Sequence, residues 1–277
     1  MRKIVDSNYL QNPKLRAYLA ERPTNMAVLT DYAAMEAYKG DTLQSIFKSM
    51  AILSEFPAQV IVLKGTRLVA ALSGRSSGLT KRMIDNDSTK EFPLYCKNLK
   101  LAEQGHPEGQ RQLLEHGKAA TQHLKNMEGD AATMIDAFDE VASNFTPEEI
   151  RSFRTDSRPS RETVRKFLDF VIMLTLRMVA SHPSGIRKPP ANEVSNTFLF
   201  RFCLCQCLAI LNWIRNGGQK IIKTSKVLND MVDVNFATYS LYFDGLLTND
   251  QKLMNLHEEA ELVLAMLTGQ QSRYDGV

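Results

Sequence analysis

Five acids stand where their carboxylates could meet: Asp6, Glu36, Asp230, Asp233 and Asp250. Asp6 directly follows a β-branched run, Ile4-Val5, and Asp250 follows a short apolar run, Leu246-Leu247, through Thr248-Asn249. Glu36 lies roughly a turn and a half into a helix-patterned segment, and Asp230 and Asp233, being three apart, share one helical face. Clustered carboxylates repel one another unless protons or cations compensate them. The hard ions Mg²⁺ and Mn²⁺ prefer such oxygen ligands. An ion held this way hydrolyses phosphodiesters by activating water and stabilising developing charge.

Each residue also has a plainer reading. Asp6 could end its strand in an Asx-turn, and Glu36 alone would be a solvated helix position. Thr248, Asn249 and Asp250 are all good helix N-caps placed just ahead of a helical pattern. Ser7, Asn8, Thr248 and Asn249 could support ligand carboxylates by hydrogen bonding, whereas Asp244-Gly245 reads as a turn. His116 and His123 are seven apart on one helical pattern and could share a face. No glycine-rich phosphate loop and no nucleophilic triad is evident.

The elements that must position these acids can be read from apolar patterning. Ile4-Val5, residues 26–30, residues 59–63 and Leu246–Thr248 are short strand-like runs without polar alternation, the pattern of a strand buried on both faces. Helices are predicted from Pro13, over 31–40 with Asp31 as cap and Gly40 as stop, and over 41–55. Strand, helix, strand, helix, strand begins a parallel α/β layer. Such layers gather functional groups outside the carboxyl ends of their strands, which sets Asp6 and Asp250 on one edge.

Between about residue 64 and residue 224 the periodicity is almost wholly helical, over 66–73, 108–127, 130–143, 147–154, 160–181 and 195–215. Residues 85–93 and the Pro-rich 181–193 read as loops, the second joining an antiparallel helix pair. Helices over 224–242 and 250–268 restore the α/β pattern. The predicted organisation is a discontinuous, parallel-sheet core (1–70 and 222–277) carrying an all-helical insertion (71–221), helix-rich overall.

A chain of 277 residues, 44% hydrophobic and 23% charged, is composed like an ordinary soluble globule, and the expected location is cytoplasmic. A net charge of +3 neither announces nor opposes a nucleic-acid partner. Charge is segregated: residues 126–150 hold seven acids and no Lys or Arg, and 151–191 hold nine bases against three acids. Two facing helices, or a basic surface beside a substrate channel, would produce that pattern. No apolar leader follows Met1-Arg2-Lys3, and residues 197–214 contain Arg201, Gln206 and Asn212, so they read as a buried helix rather than a membrane span. Four cysteines suit a reducing compartment. Cys203, Cys205 and Cys207 alternate by two, which on a helix prevents convergence on one zinc and makes them core residues.

The successive acidic segments "KIVDSNYL", "DYAAMEAYKG", "NDMVDVNFATYSLYFD" and "GLLTNDQKL" resemble the ordered motifs of the PIN-domain (PIN-like) metal-dependent nucleases. Asp6-Ser7-Asn8 is similar to the family's first strand end and Glu36 to its helical Glu. Asp233, or Asp230 in the alternative register, is similar to its late-helix Asp, and Thr248 with Asp250 to its final Thr-x-Asp. The resemblance covers about residues 1–70 and 222–255.

It implies a metal-dependent endonuclease using Mg²⁺ or Mn²⁺, with Asp6, Glu36, Asp233 and Asp250 as ligands and Asp230 assisting. The implied substrate is nucleic acid, RNA rather than DNA, including structured RNA such as tRNA, in a prokaryotic toxin or antiphage defence setting. A catalytically inactive scaffold is the competing expectation. Its insertion would bind a regulatory protein or a second copy of the chain; no membrane partner is expected. A metal-dependent phosphatase with the insertion as a cap shares the same chemistry.

Overall fold

Short runs of β-branched and apolar residues form the strands because both of their faces are covered. Ile4 and Val5 are fully buried, as are Ala27 and Val28. The structure, a computed structural model, describes residues 1–39, 42–154, 160–215 and 224–268. The chain runs β1 (Arg2–Val5), α1 (Pro13–Glu21), β2 (Met26–Leu29), α2 (Asp31–Tyr38), α3 (Leu43–Glu55), β3 (Val60–Val62), α4 (Thr66–Ala70) and α5 (Leu79–Met83). It continues through α6 (Asn86–Glu103), α7 (Pro107–Ser143), α8 (Pro147–Arg154), α9 (Arg161–Ser181), α10 (Phe198–Arg215), α11 (Thr224–Ser240), β4 (Leu246–Leu247) and α12 (Gln251–Thr268).

The fold is therefore helix-rich α/β, with one four-stranded sheet of order β3-β2-β1-β4. Every pairing is parallel, with Ile4 opposite Val28 on one side and Leu246 on the other, and Val28 opposite Ile61. Strand order reverses at β1, whose neighbours are β2 and the late-arriving β4. A reversal of this kind leaves a crevice beyond the carboxyl ends of the two strands concerned. Asp6 follows β1 and Thr248 follows β4, so the sequence places polar residues at both lips of that crevice.

Two compact units divide the chain. The first comprises Met1–Val69, Gly78–Asn126 and Tyr239–Met254, and the second Ala70–Ser77, Met127–Thr238 and Asn255–Val277. The first unit thus contains the whole sheet and also residues 78–126, which the sequence pattern assigns to the insertion.

Within the first unit the local chemistry of most elements follows expectation. Asn12 caps α1 by accepting from the Lys14 amide at 2.9 Å, with Pro13 at the first helical position. Gly245 at φ 121° makes the predicted turn, and Asp244 accepts from the Arg2 amide at 2.6 Å. Two expectations need correction here. The cap of α2 is Thr30, which accepts from the Ala33 amide at 3.1 Å, and Asp31 is the first helical residue. The predicted stop, Gly40, lies outside the described residues. Residues 85–93 are not a loop: Asp85 accepts from the Ser88 amide at 3.0 Å and opens α6, and Pro93 sits inside that helix. Thr89 anchors this first turn by donating to the Val62 carbonyl and accepting from its amide, so tertiary bonds offset the donor that Pro93 lacks.

One further pair of predicted helices, 108–127 and 130–143, is the single helix α7, which continues through Gly129. In the second unit α9 packs on α10, where Cys203 lies 3.4 Å from the Met178 sulfur. Cys203, Cys205 and Cys207 are buried and free, and burial pushes the Cys203 and Cys205 thiols up to about 12. They are core residues, as their spacing predicts. Between the acidic and basic segments Lys166 pairs with Glu149 at 2.9 Å and also lies over the Phe145 ring. Among the described residues, no helix is long and apolar enough to cross a membrane.

Candidate active site

The crevice at the sheet reversal is built by two short turns. After β1 the chain enters a one-turn 3₁₀ helix, Ser7–Tyr9, closed by the Tyr9 amide donating to the Asp6 carbonyl at 2.9 Å. This turn sets Asp6, Ser7 and Asn8 at the strand end. The Asp6 amide continues the ladder to the Leu247 carbonyl at 3.0 Å, which ties the end of β1 to the end of β4.

Asp6 is 3% exposed. Thr248 Oγ1 donates to its Oδ2 at 2.6 Å, and Ser7 Oγ lies 3.3 Å from its Oδ1. Ser7 Oγ also contacts Glu36 Oε2. One hydroxyl has one proton, so Ser7 serves one carboxylate at a time, and the pair is short of positive charge. Burial raises the Asp6 carboxyl above the usual range, and the neighbouring Glu36 charge adds to the rise. Hydrogen bonds from Thr248, the Asn8 amide and Ser7 oppose it. Glu36 is the less buried partner, and its Oε1 accepts from Lys39 Nζ at 2.7 Å.

The other predicted residues take different places. Thr248 Oγ1 accepts from the Asp250 amide at 2.9 Å while donating to Asp6. Asp250 itself is turned toward α12: its Oδ1 accepts from the Lys252 amide at 2.7 Å and the Leu253 amide at 3.2 Å. This is the N-cap arrangement. Asn249 stitches the corner to the opposite turn. Its amide donates to Asn8 Oδ1 at 3.3 Å, and its Oδ1 accepts from Asn12 Nδ2 at 2.6 Å. The Asn8 and Asn249 side chains therefore support the backbone of the crevice, while the Asn8 amide reaches the Asp6 carboxylate. Asp230 and Asp233 lie on the part of α11 that belongs to the second unit.

Two contributors escaped the sequence reading. Lys39 follows Glu36 by three residues on one helix, and Glu-Lys at i,i+3 is itself a readable signal. Asp31 looked like a cap, yet its carboxylate accepts from the Thr66 amide and hydroxyl at 2.7 Å each. Tyr239 adds its hydroxyl to Thr66 at 3.0 Å. No local spacing links residues 31, 66 and 239. This network fastens the turn after β3 to the end of β2, along the same sheet edge as Asp6.

The donor set bears on a hard cation directly. Mg²⁺ is commonly held by one or two carboxylates together with waters and substrate phosphate. Asp6 and Glu36 offer that pair, largely buried and joined through Ser7. Among the described residues, no group of three or more His, Cys, Asp or Glu side chains converges to hold a metal. His116 and His123 do share a surface, lining an open cleft with Met35 and Tyr38 on α2. A hollow of about 430 Å³ between α3 and α6 includes none of the site acids. No protein-family model, curated protein or solved structure matches the chain, and the functional reading rests on its residues and their geometry.

Proposed function

We propose that the protein is a divalent-metal-dependent phosphodiester hydrolase of PIN-like type, acting on RNA, with Asp6 and Glu36 as the carboxylate pair that holds Mg²⁺ or Mn²⁺. The observation that carries this reading is the buried Asp6 joined to Glu36 through Ser7 at the sheet reversal. When bound, such an ion lowers the pKa of water and neutralises charge developing on the phosphate. Thr248 fixes the rotamer of Asp6 by its hydroxyl, Ser7 spaces the two carboxylates, and Lys39 balances the charge on Glu36. Asp250 shapes the corner by capping α12, and in this reading its amide orients Thr248. Cleavage of tRNA in toxin or antiphage defence is the proposed setting.

The test is cleavage of an RNA panel in Mn²⁺ or Mg²⁺ by the wild type, Asp6→Asn and Glu36→Gln. Activity lost in both folded variants supports the reading; activity retained in either overturns the pair's role. A second reading has its own observation. Asp250 is engaged in a helix cap, which favours an inactive scaffold whose helices bind a regulatory protein or another copy. Val164 and Ile172 on α9 offer exposed apolar surface for that purpose. Absence of any Mn²⁺ binding that depends on Asp6 would favour the scaffold.

A further inference from the structure

Residues 56–84 contain five bases, Lys64, Arg67, Arg75, Lys81 and Arg82, and no acid. Four of these, all but Arg75, fall in the first unit with the sheet. Their backbone is pinned at the carboxyl end of β3. Leu63 forms an antiparallel bridge with Ile84, the Lys64 amide donates to the Met83 carbonyl at 2.9 Å, and the Asp85 amide donates to the Val62 carbonyl at 2.9 Å. Lys64 thus leaves β3 beside the turn that carries Lys81 and Arg82, and Arg67 follows on α4. Arg67 and Lys81 are exposed, and Lys64 is half-buried. Asp85 closes the segment, but its carboxylate is spent mainly on the Ser88 amide.

This basic ledge lies on the sheet edge that carries Asp6. Strands are spaced about 4.8 Å apart, so the end of β3 stands about 10 Å from the end of β1 across β2. The Asp31–Thr66 bonds hold the intervening edge in place. A chain of phosphates crossing that edge would meet the cations a step or two from the acidic pair. Leu68, 61% exposed, sits beside Arg67. An exposed apolar side chain among cations gives an unpaired base an apolar surface to lie against, which the stacked bases of a duplex do not use.

We propose that the ledge formed by Lys64, Arg67, Lys81 and Arg82 holds the phosphate backbone of a single-stranded nucleic acid whose adjoining linkage lies at Asp6 and Glu36. The proposal rests on the hydrolase reading for the linkage and on charge placement for the strand. Each phosphate contact to a single strand contributes about −0.7 to the slope of log affinity against log salt concentration.

The experiment measures binding of a fluorescent 12-nucleotide oligo-U RNA in EDTA over a salt series, by anisotropy. The proteins are the full chain, its Lys64→Gln/Arg67→Gln/Lys81→Gln variant, and an Arg187→Gln/Lys188→Gln variant in the second unit. The expected result is a slope shallower by about 2 for the triple variant, an unchanged slope for the double variant, and weaker binding of the same sequence as a duplex. An unchanged slope in the triple variant, a change confined to the double variant, or preference for the duplex overturns the ledge. Mn²⁺-dependent cleavage by a wild type that fails to bind the oligonucleotide also overturns it, while leaving the hydrolase reading intact. The expected slope difference in a protein without Mn²⁺ binding or cleavage supports the ledge and removes the hydrolase.

Discussion

Thr248→Val isolates the bond that holds Asp6 in place. Valine keeps the shape of threonine but cannot donate to Asp6 Oδ2, which lies 2.6 Å from the native hydroxyl on a residue 3% exposed. A hydrogen bond to a buried charged group is worth about 1.5–3 kcal/mol, and the Asp250 amide also loses its acceptor. The expected loss is about 2–3 kcal/mol at pH 7, read as urea unfolding of chelator-treated protein. In a chain of this size that corresponds to a fall in Tm of about 3–5 °C. Thr248→Ser, which keeps the hydroxyl, should lose about 0.8 kcal/mol for its methyl group. The cost of Thr248→Val should shrink to about 1 kcal/mol once acid protonates Asp6, because the lost bond is then neutral. A double-mutant cycle with Asp6→Asn should show coupling above about 0.5 kcal/mol. A loss below that value at pH 7, or one equal at both pH values, would refute the claim that Thr248 acts through the Asp6 charge.

The remaining predictions concern the same corner. Asp6 has a folded pKa raised above its unfolded value near 3.8. Its stabilising contribution is complete below that unfolded value and is lost as pH rises through the folded one. Metal-free Asp6→Asn should therefore gain stability relative to wild type on going from pH 3 to pH 7, and a constant difference between the two proteins would contradict this. Asp250→Asn should keep the helix cap with near wild-type stability, whereas Asp250→Ala should lose about 1 kcal/mol. Mn²⁺ affinity reduced tenfold or more in Asp250→Asn would show that the carboxylate is a ligand as well as a cap. Lys39→Met removes a half-exposed competitor for Glu36 Oε1 and should tighten Mn²⁺ binding about two- to fivefold, the equivalent of up to about 1 kcal/mol. Weaker binding would show that Lys39 supports the ion instead.

How far the sequence discloses this arrangement depends on whether the determining interactions are local. Ile4-Val5, residues 26–29, residues 60–62 and Leu246-Leu247 are legible as strands because continuous apolar runs are required of strands buried on both faces. Asp6 and Thr248 are legible because a parallel sheet presents its strand ends on one edge. The start of α6 is not, since Asp-Asn-Asp-Ser and Pro93 look like a loop until Thr89 is seen bonded to Val62. Gly129 misleads in the same way, because a single glycine costs a helix only about 1 kcal/mol and a long helix absorbs it. Asp31 is the clearest omission: as a first-turn acid it satisfies a local rule, and its partners Thr66 and Tyr239 are distant in sequence. Asp250 shows the reverse. Its local role as a cap is visible both in the pattern and in the structure, and the pattern suggests a ligand role that no bond to Asp6 accompanies.

The carboxylate pair is the claim on which the rest depends, and calorimetric titration of the full chain with Mn²⁺ at pH 7 tests it most directly. The account predicts binding in the wild type that is lost in Asp6→Asn and in Glu36→Gln while far-UV circular dichroism stays unchanged. Equal Mn²⁺ binding in the wild type and both variants, or none in any of the three, would contradict it.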